Sequence, residues 1–206
     1  KTLSLTLKTA GSQTLTASDI TDGTKTANTS PALTVDPNVA AKFIVTGTTA
    51  MLSGATNLIT ITAFDVHGNM ATTYAGDKSV TLSGATASPV PSAVAPTCTD
   101  KTAAAIGMGA PTTITFTGAA GTCSMRLYKV EVAAIKATQG TVATAAADDL
   151  DVTVRHGAVN HLKFQGDILA PQPANKFQAG VAFPLGALEA VDLYDNIANG
   201  ANGSSA

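Results

Sequence analysis

The sequence predicts an all-β protein built of antiparallel β-sandwich units. Three observations lead there. Apolar and polar residues alternate with period two in run after run, turn residues separate the runs, and no helical stripe of useful length occurs. The stretch from Ala103 to Ala110 has room for one helical turn at most. Period-two alternation sends one face of a strand into a core and the other into water, which is the habit of antiparallel, half-buried strands.

The runs follow in order. Residues 3–7 read Leu-Ser-Leu-Thr-Leu and residues 13–17 read Gln-Thr-Leu-Thr-Ala. Residues 43–47 read Phe-Ile-Val-Thr-Gly, with Phe43 and Val45 on one face, and residues 59–63 read Ile-Thr-Ile-Thr-Ala. Then come Val80 with Leu82, Ile114 with Phe116, Tyr128 with Val130 and Val132, and Leu150 with Val152 and Val154. The residues between are mainly Thr, Ser, Lys, Glu or Asp. Thr suits the outward positions because it is β-branched and soluble. Turns are marked at 9–11, at His67-Gly68-Asn69, at 118–121 and at Gln139-Gly140.

Composition narrows the function classes. Ala and Thr together make about a third of the 206 residues, charged residues are 13% and aromatics 4%, with no Trp. An apolar fraction of 45% is too high for intrinsic disorder. A net charge of −2 offers no basic field for nucleic acid or an anionic membrane. No apolar run is long enough to insert in a membrane as a helix. Lys1 opens straight into a strand-like pattern, which reads as a mature product or an internal fragment.

Cys98 and Cys123 form no C-x-x-C pair, and His67, His156 and His161 stand at no zinc-ligand spacing from them. One disulfide is the favoured reading, and two small buried thiols are the alternative. Low charge and Thr richness favour an oxidising, extracytoplasmic setting.

The chain also repeats itself. ALTVDPNVAAKFIVTG at 32–47 matches DVTVRHGAVNHLKFQG at 151–166, so that Val35, Phe43, Val45 and Gly47 pair with Val154, Leu162, Phe164 and Gly166 at an offset of 119. AFDVHGNMA at 63–71 matches AVDLYDNIA at 190–198, so that Asp65 and Asn69 pair with Asp192 and Asn196 at an offset of 127. An insertion near Pro171–Gln178 accounts for the difference. The expected organisation is therefore one complete unit and two partial ones. Residues 38–156 are the complete unit, with a long loop at 84–111. Residues 1–37 carry the closing strands of a preceding unit, and residues 157–206 the opening strands of a following one. Two or three strands alone are marginal in water, so both partial units need completion. Either the natural chain continues, or strands of one molecule complete those of another in a head-to-tail homopolymer.

At this point the residues resemble a known family. LTVDPNVAAKFIVTG, NLITITAFDVHGNMATTYAG and KSVTLSG are similar to bacterial immunoglobulin-like repeats, both the invasin/intimin type and the filamin-like type of large surface proteins. TLKTAGSQTLTASD resembles the closing strands of such a repeat. The resemblance implies tandem immunoglobulin-like β-sandwiches used as a stalk, spacer or adhesive module on a cell surface. The 84–111 loop, the cysteine pair and Asp195 in place of Gly68 depart from the family pattern.

Asp65, Gly68 and Asn69, with Asp192 and Asn196 in the second copy, read as a turn motif in which Asp and Asn bond local backbone and Gly supplies positive φ. The alternative is a calcium site of Asp65, Asn69 and Asp77, although the dense Asp spacing of a calcium loop is missing. Asp148, Asp149 and Asp151 read as a solvated strand edge. No nucleophile elbow, phosphate-binding glycine loop or cofactor fingerprint is present, so no catalytic residue and no cofactor are assigned. Asn28 and Asn202 head glycosylation sequons. The 84–111 loop reads as a contact element, and the Pro-free junction at Arg155-His156-Gly157 reads as looser than the one at Asp36-Pro37-Asn38. The expected role is non-enzymatic: repeats of an extracellular stalk, sheath or fibre whose partners are neighbouring repeats, without nucleic acid or membrane insertion. The alternative is an adhesive or carbohydrate-binding accessory module.

Overall fold

Alternation decides where this chain pairs. In the computed structural model, residues 2–165, 179–180 and 187–198 are described, and every regular element among them is a β-strand. Before residue 38 lie β1 (Gly11–Gln13), β2 (Thr16–Ala17), β3 (Asn28–Thr29) and β4 (Leu33–Val35). The central segment holds β5 (Lys42–Thr46), β6 (Ala50–Leu52), β7 (Thr56–Phe64), β8 (Gly76–Ser83), β9 (Thr97–Thr99) and β10 (Ala105–Gly107). It continues with β11 (Pro111–Thr117), β12 (Ala120–Arg126), β13 (Val132–Gln139), β14 (Val142–Thr144) and β15 (Leu150–Arg155). The third segment has β16 (His161–Phe164) and β17 (Leu188–Val191).

Seven strands of the central segment form a closed ring in the order β5, β7, β12, β11, β8, β13, β14 and back to β5. The sequence predicted a two-layer sandwich; the hydrogen bonding closes a barrel. Two short pairings close it. β11 turns into β12 through Gly118 and Ala119, both at positive φ, so the hairpin begins with Thr117 opposite Ala120. β14 pairs in parallel with β5, Ala143 opposite Lys42 and Thr144 opposite Phe43. Outside the ring, β15 joins β13 and β6, and β9 joins β12 and β10. Phe43, Ile59, Ile61, Val80, Leu82, Ile114, Phe116, Met125 and Ile135 of the ring strands are buried, and Val152 and Val154 of β15 join them in one core cluster. Phe43, Tyr74 and Phe116 meet at centroid distances of 5.0–6.2 Å, in edge and stacked arrangements.

Three strand expectations need correction. Tyr128, Val130 and Val132 are not an inward-facing run. β12 ends at Arg126, the chain crosses to β13, and Ala133, Ile135 and Ala137 face the core while Val132 stands outward. The alternation restarts when β13 begins at Val132, so the inward positions fall on the odd-numbered residues and the run at 128–132 is out of phase with them. Residues 3–7 form no strand pair among the described residues, and Leu3 and Leu5 are 83% and 64% exposed. The run at 13–17 is split between β1 and β2, which pair with β4 and β3 respectively.

The loop at 84–111 is partly structured. β9 and β10 form a hairpin in it, and a Cys98–Cys123 disulfide staples β9 to β12. Both half-cystines are buried, so the bond is part of the core.

Pairing registers recur along the chain. His161, Leu162, Lys163 and Phe164 face Val191, Ala190, Glu189 and Leu188, just as Lys42, Phe43, Ile44 and Val45 face Phe64, Ala63, Thr62 and Ile61. Ser12 faces Thr34 and Gln13 faces Leu33, as Val132 faces Thr153 and Ala133 faces Val152. The Pro171–Gln178 stretch and Asn202 lie outside the described residues.

Candidate junction sites

The polar groups that gather most densely do so where one segment meets the next. β7 ends at Phe64 and must reverse. Asp65 and Asn69 build the reversal: the Asp65 amide donates to the Asn69 carbonyl at 2.8 Å, and the Gly68 amide donates to the Asp65 carbonyl at 3.1 Å. Gly68 has φ of +85°, which glycine adopts without strain. The Asp65 carboxylate then accepts four N–H groups: the amides of His67, Asn69 and Asn38 and the Asn69 side-chain amide, at 2.8–3.0 Å. The Asn38 bond ties the turn to the link that follows β4.

Asn69 does the reaching. Its Nδ2 donates to the Lys8 carbonyl at 2.8 Å, and its Oδ1 accepts the Ala10 amide at 2.9 Å. One side-chain amide thus pairs both backbone groups flanking Thr9, as a neighbouring strand would.

The second turn repeats this arrangement. The Asp192 amide donates to the Asn196 carbonyl at 3.0 Å, and the Asp192 carboxylate accepts the amides of Tyr194, Asn196 and Gly157 at 2.9–3.0 Å. Asn196 Nδ2 donates to the Tyr128 carbonyl at 2.7 Å, and its Oδ1 accepts the Val130 amide at 2.8 Å. Lys8 and Ala10 correspond to Tyr128 and Val130, and Asn38 corresponds to Gly157. Asp195 takes the place of Gly68 at φ of +63°, which Asp tolerates better than most residues.

This second contact has more fastenings. Ser53 Oγ donates to the Asp192 carboxylate and accepts the Gly157 amide. Tyr128 and Tyr194 pack edge to face at 4.9 Å. The 84–111 loop reaches Asp195 through Ser92. The Pro-free link at 155–157, expected to be looser, is thus held by side chains that its own sequence does not contain.

The electrostatics follow from the donors. Burial pushes the Asp65 carboxyl up, but the hydrogen bonds from Asn69, Asn38 and His67 outweigh it and hold the group well below the carboxylate range. At Asp192 burial likewise pushes up, and Ser53, Gly157, Asn196 and Tyr194 pull the value down. These turns therefore stay ionised across the physiological range.

Their donor sets do not suit calcium. A carboxylate offers about four lone-pair sites, and four N–H groups fill those of Asp65. Asp77 is engaged elsewhere, by Lys101 and Thr115. Among the described residues no cluster of three His, Cys, Asp or Glu side chains gathers. Asp148 pairs with Lys42 at 3.0 Å and Asp149 with Lys136 at 3.8 Å; the Asp149 side chain is 5% exposed, so the expected solvated edge is partly buried. Clefts of about 460 Å³ and 310 Å³ flank the second junction and one of about 290 Å³ flanks the first. Asp65, Asn69, Asp192 and Asn196, which line them, already satisfy one another or the adjoining backbone. Asn28 is exposed on β3.

Sequence reasoning found the Asp and Asn residues but not their partners. Ser53, Ser92 and the backbone of Lys8, Ala10, Tyr128 and Val130 carry no side-chain signature. Only an alignment of Leu5 and Leu7 with Met125 and Leu127 would have exposed the third offset, 120.

No family model matches the chain, and no curated protein matches it. Among solved structures it is similar to surface layer protein SbsC, domains 1-6, with 17% identity over 91% of this chain and 20% of that one, at a TM-score of 0.34. Domains 4-9 of the same protein give 18% identity over 91% and 25% of the two chains at 0.35, and domains 5-6 give 18% over 79% and 67% at 0.32. The chain spans a fifth to a quarter of the two longer structures.

Proposed function

We propose that this chain is a non-enzymatic structural element of a cell surface, a run of immunoglobulin-like β-units that sets distance and direction between what lies at its two ends. The units are 1–37, 38–156 and 157–206, the first and last being partial. The observation that carries this reading is the recurrence of one junction: the same Asp–Asn turn grips the same backbone groups of the preceding segment twice. A surface setting is also that of the surface layer proteins named above; the proposal itself stands on the junctions and the disulfide.

Junctions of this kind turn linkers into joints with fixed geometry. A short linker alone restricts swing. Bonding its flanks to the next unit's base restricts rotation as well. The apolar faces at both ends fit a serial assembly. Leu5, Leu15 and Leu33 are exposed where their counterparts Met125, Ile135 and Val152 are core, and Leu162, Phe164 and Leu188 are exposed where Phe43, Val45 and Ile61 are core. Further strands, from the same chain or a second copy, would cover them.

Small-angle X-ray scattering of the 206-residue chain tests the reading. A profile fitted by one conformation supports it, and a profile that requires a broad ensemble of inter-unit angles rejects it. Saturable binding on a glycan array would instead favour an accessory binding module, for which the tyrosines are poorly placed: Tyr74 packs in the core, and Tyr128 and Tyr194 pack on each other.

A further inference from the structure

The 84–111 loop does more than cover the barrel. Its first part, 84–96, is anchored at its root. Gly84 has φ of +106°, and a Cβ there would lie 1.8 Å from the Ala134 carbonyl oxygen, so only glycine starts the loop in this way. Glu131 accepts from the Thr86 amide at 2.8 Å and from its hydroxyl at 2.6 Å. The tip is closed on itself: the Ser88 amide donates to the Val94 carbonyl and the Val94 amide to Ser88 Oγ, both at 2.9 Å. A loop braced in this manner presents its tip in one orientation.

The tip meets two side chains of the third segment. The Ser92 amide donates to Asp195 Oδ2 at 3.1 Å, and the Ser92 hydroxyl donates to the same oxygen. Lys163 Nζ donates to the Val90 carbonyl at 2.8 Å. His161 Nε2 lies 3.3 Å from Asp195 Oδ1, the side of the carboxylate that the loop does not use. Asp195 is 4% exposed, so this contact is largely shielded from water.

In the central segment the matching positions cannot receive such a loop. Gly68 stands for Asp195 and Ile44 for Lys163, which removes both the carboxylate acceptor and the cationic donor. Lys42 stands for His161 and is committed to Asp148.

We infer that 84–96 is a selectivity loop: it docks on a following unit only when that unit carries an acid at the positive-φ position of its base turn and a lysine on its first strand. The inference rests on the structural reading above and adds partner choice to it. The shared Asp–Asn clamp holds any neighbour of the family, and the loop distinguishes the acid-bearing type from the glycine-bearing one. A carboxylate is the natural partner for the tip, since a charged acceptor strengthens both Ser92 bonds. The loop thereby fixes the order of units along the rod.

The test uses the full chain with spin labels on cysteines introduced at exposed Thr122 and Gln165, the native cysteines being paired. Asp195→Gly and Lys163→Ile each install the residue that the central segment already tolerates, so both are expected to fold. Distances are read by double electron–electron resonance. We expect a single narrow distribution in the parent and at least a twofold wider one in either variant. Ser92→Ala should give an intermediate width and add nothing to Asp195→Gly. Widths unchanged in both Asp195→Gly and Lys163→Ile would overturn the inference. Asn196→Ala separates the two levels: if it broadens the distribution while the loop variants do not, loop selectivity fails and the rod reading stands. If it too leaves the width unchanged, both fail.

Discussion

Asn196 is the residue whose loss should be felt most at the second junction. It is 2% exposed, donates to the Tyr128 carbonyl at 2.7 Å and accepts the Val130 amide at 2.8 Å. Asn196→Ala leaves one donor and one acceptor of the neighbouring segment unpaired. Each costs about 1–3 kcal/mol when water cannot replace the partner. Both sites are only part-buried, so water recovers some of this, and a loss of about 2–4 kcal/mol is the working figure. A factor of ten corresponds to about 1.4 kcal/mol, so the Val130 amide should exchange roughly 30- to 700-fold faster. Hydrogen exchange followed by NMR reads this directly. Core amides such as Ile61 and Val152 serve as internal controls and should keep their protection. Asn69→Ala should accelerate Ala10 by a smaller factor, because Asn69 is more exposed. A Val130 amide as protected in Asn196→Ala as in the parent would refute the clamp.

Other outcomes follow from the same geometry. Asp65, Asp192 and Asp195 all titrate below the ordinary carboxylate value of 3.8, so their contribution is fully present above that pH and is lost as pH falls through the depressed folded values. Inter-segment protection should be flat from neutrality to about pH 4 and fall only below it; a loss centred between pH 5 and 7 would contradict this assignment. Reducing the Cys98–Cys123 bond should lower stability by about 3–4 kcal/mol, seen as an earlier denaturant midpoint, and an unmoved midpoint would remove the staple from the account. Gly84→Ala should destabilise by more than about 1 kcal/mol, because the new Cβ meets the Ala134 carbonyl and the φ is unfavourable; a melting temperature equal to the parent's would show that the loop root can shift.

The sequence is readable where one periodicity rules. Ile59, Ile61 and Ala63 alternate with Thr and land in the core, as do Val152 and Val154. It is unreadable where a strand break resets the phase: β12 ends at Arg126, and β13 puts Ala133, Ile135 and Ala137 inside and Val132 outside. Ring closure was hidden because it rests on the two-residue contact of β14 with β5 and the hairpin end of β11 and β12, too short to leave a pattern. Asp65, Asn69, Asp192 and Asn196 were visible as turn formers from side-chain chemistry alone. Their reach into the preceding segment was not, since their targets are backbone groups that every residue possesses.

Residual dipolar couplings across the chain test the central claim most directly. If the Asp–Asn turns hold consecutive segments as one body, a single alignment tensor should fit residues 38–156 together with the described residues of the third segment. Tensors that differ in magnitude between the two would mean that the segments reorient independently, and the junction would be a tether rather than a joint.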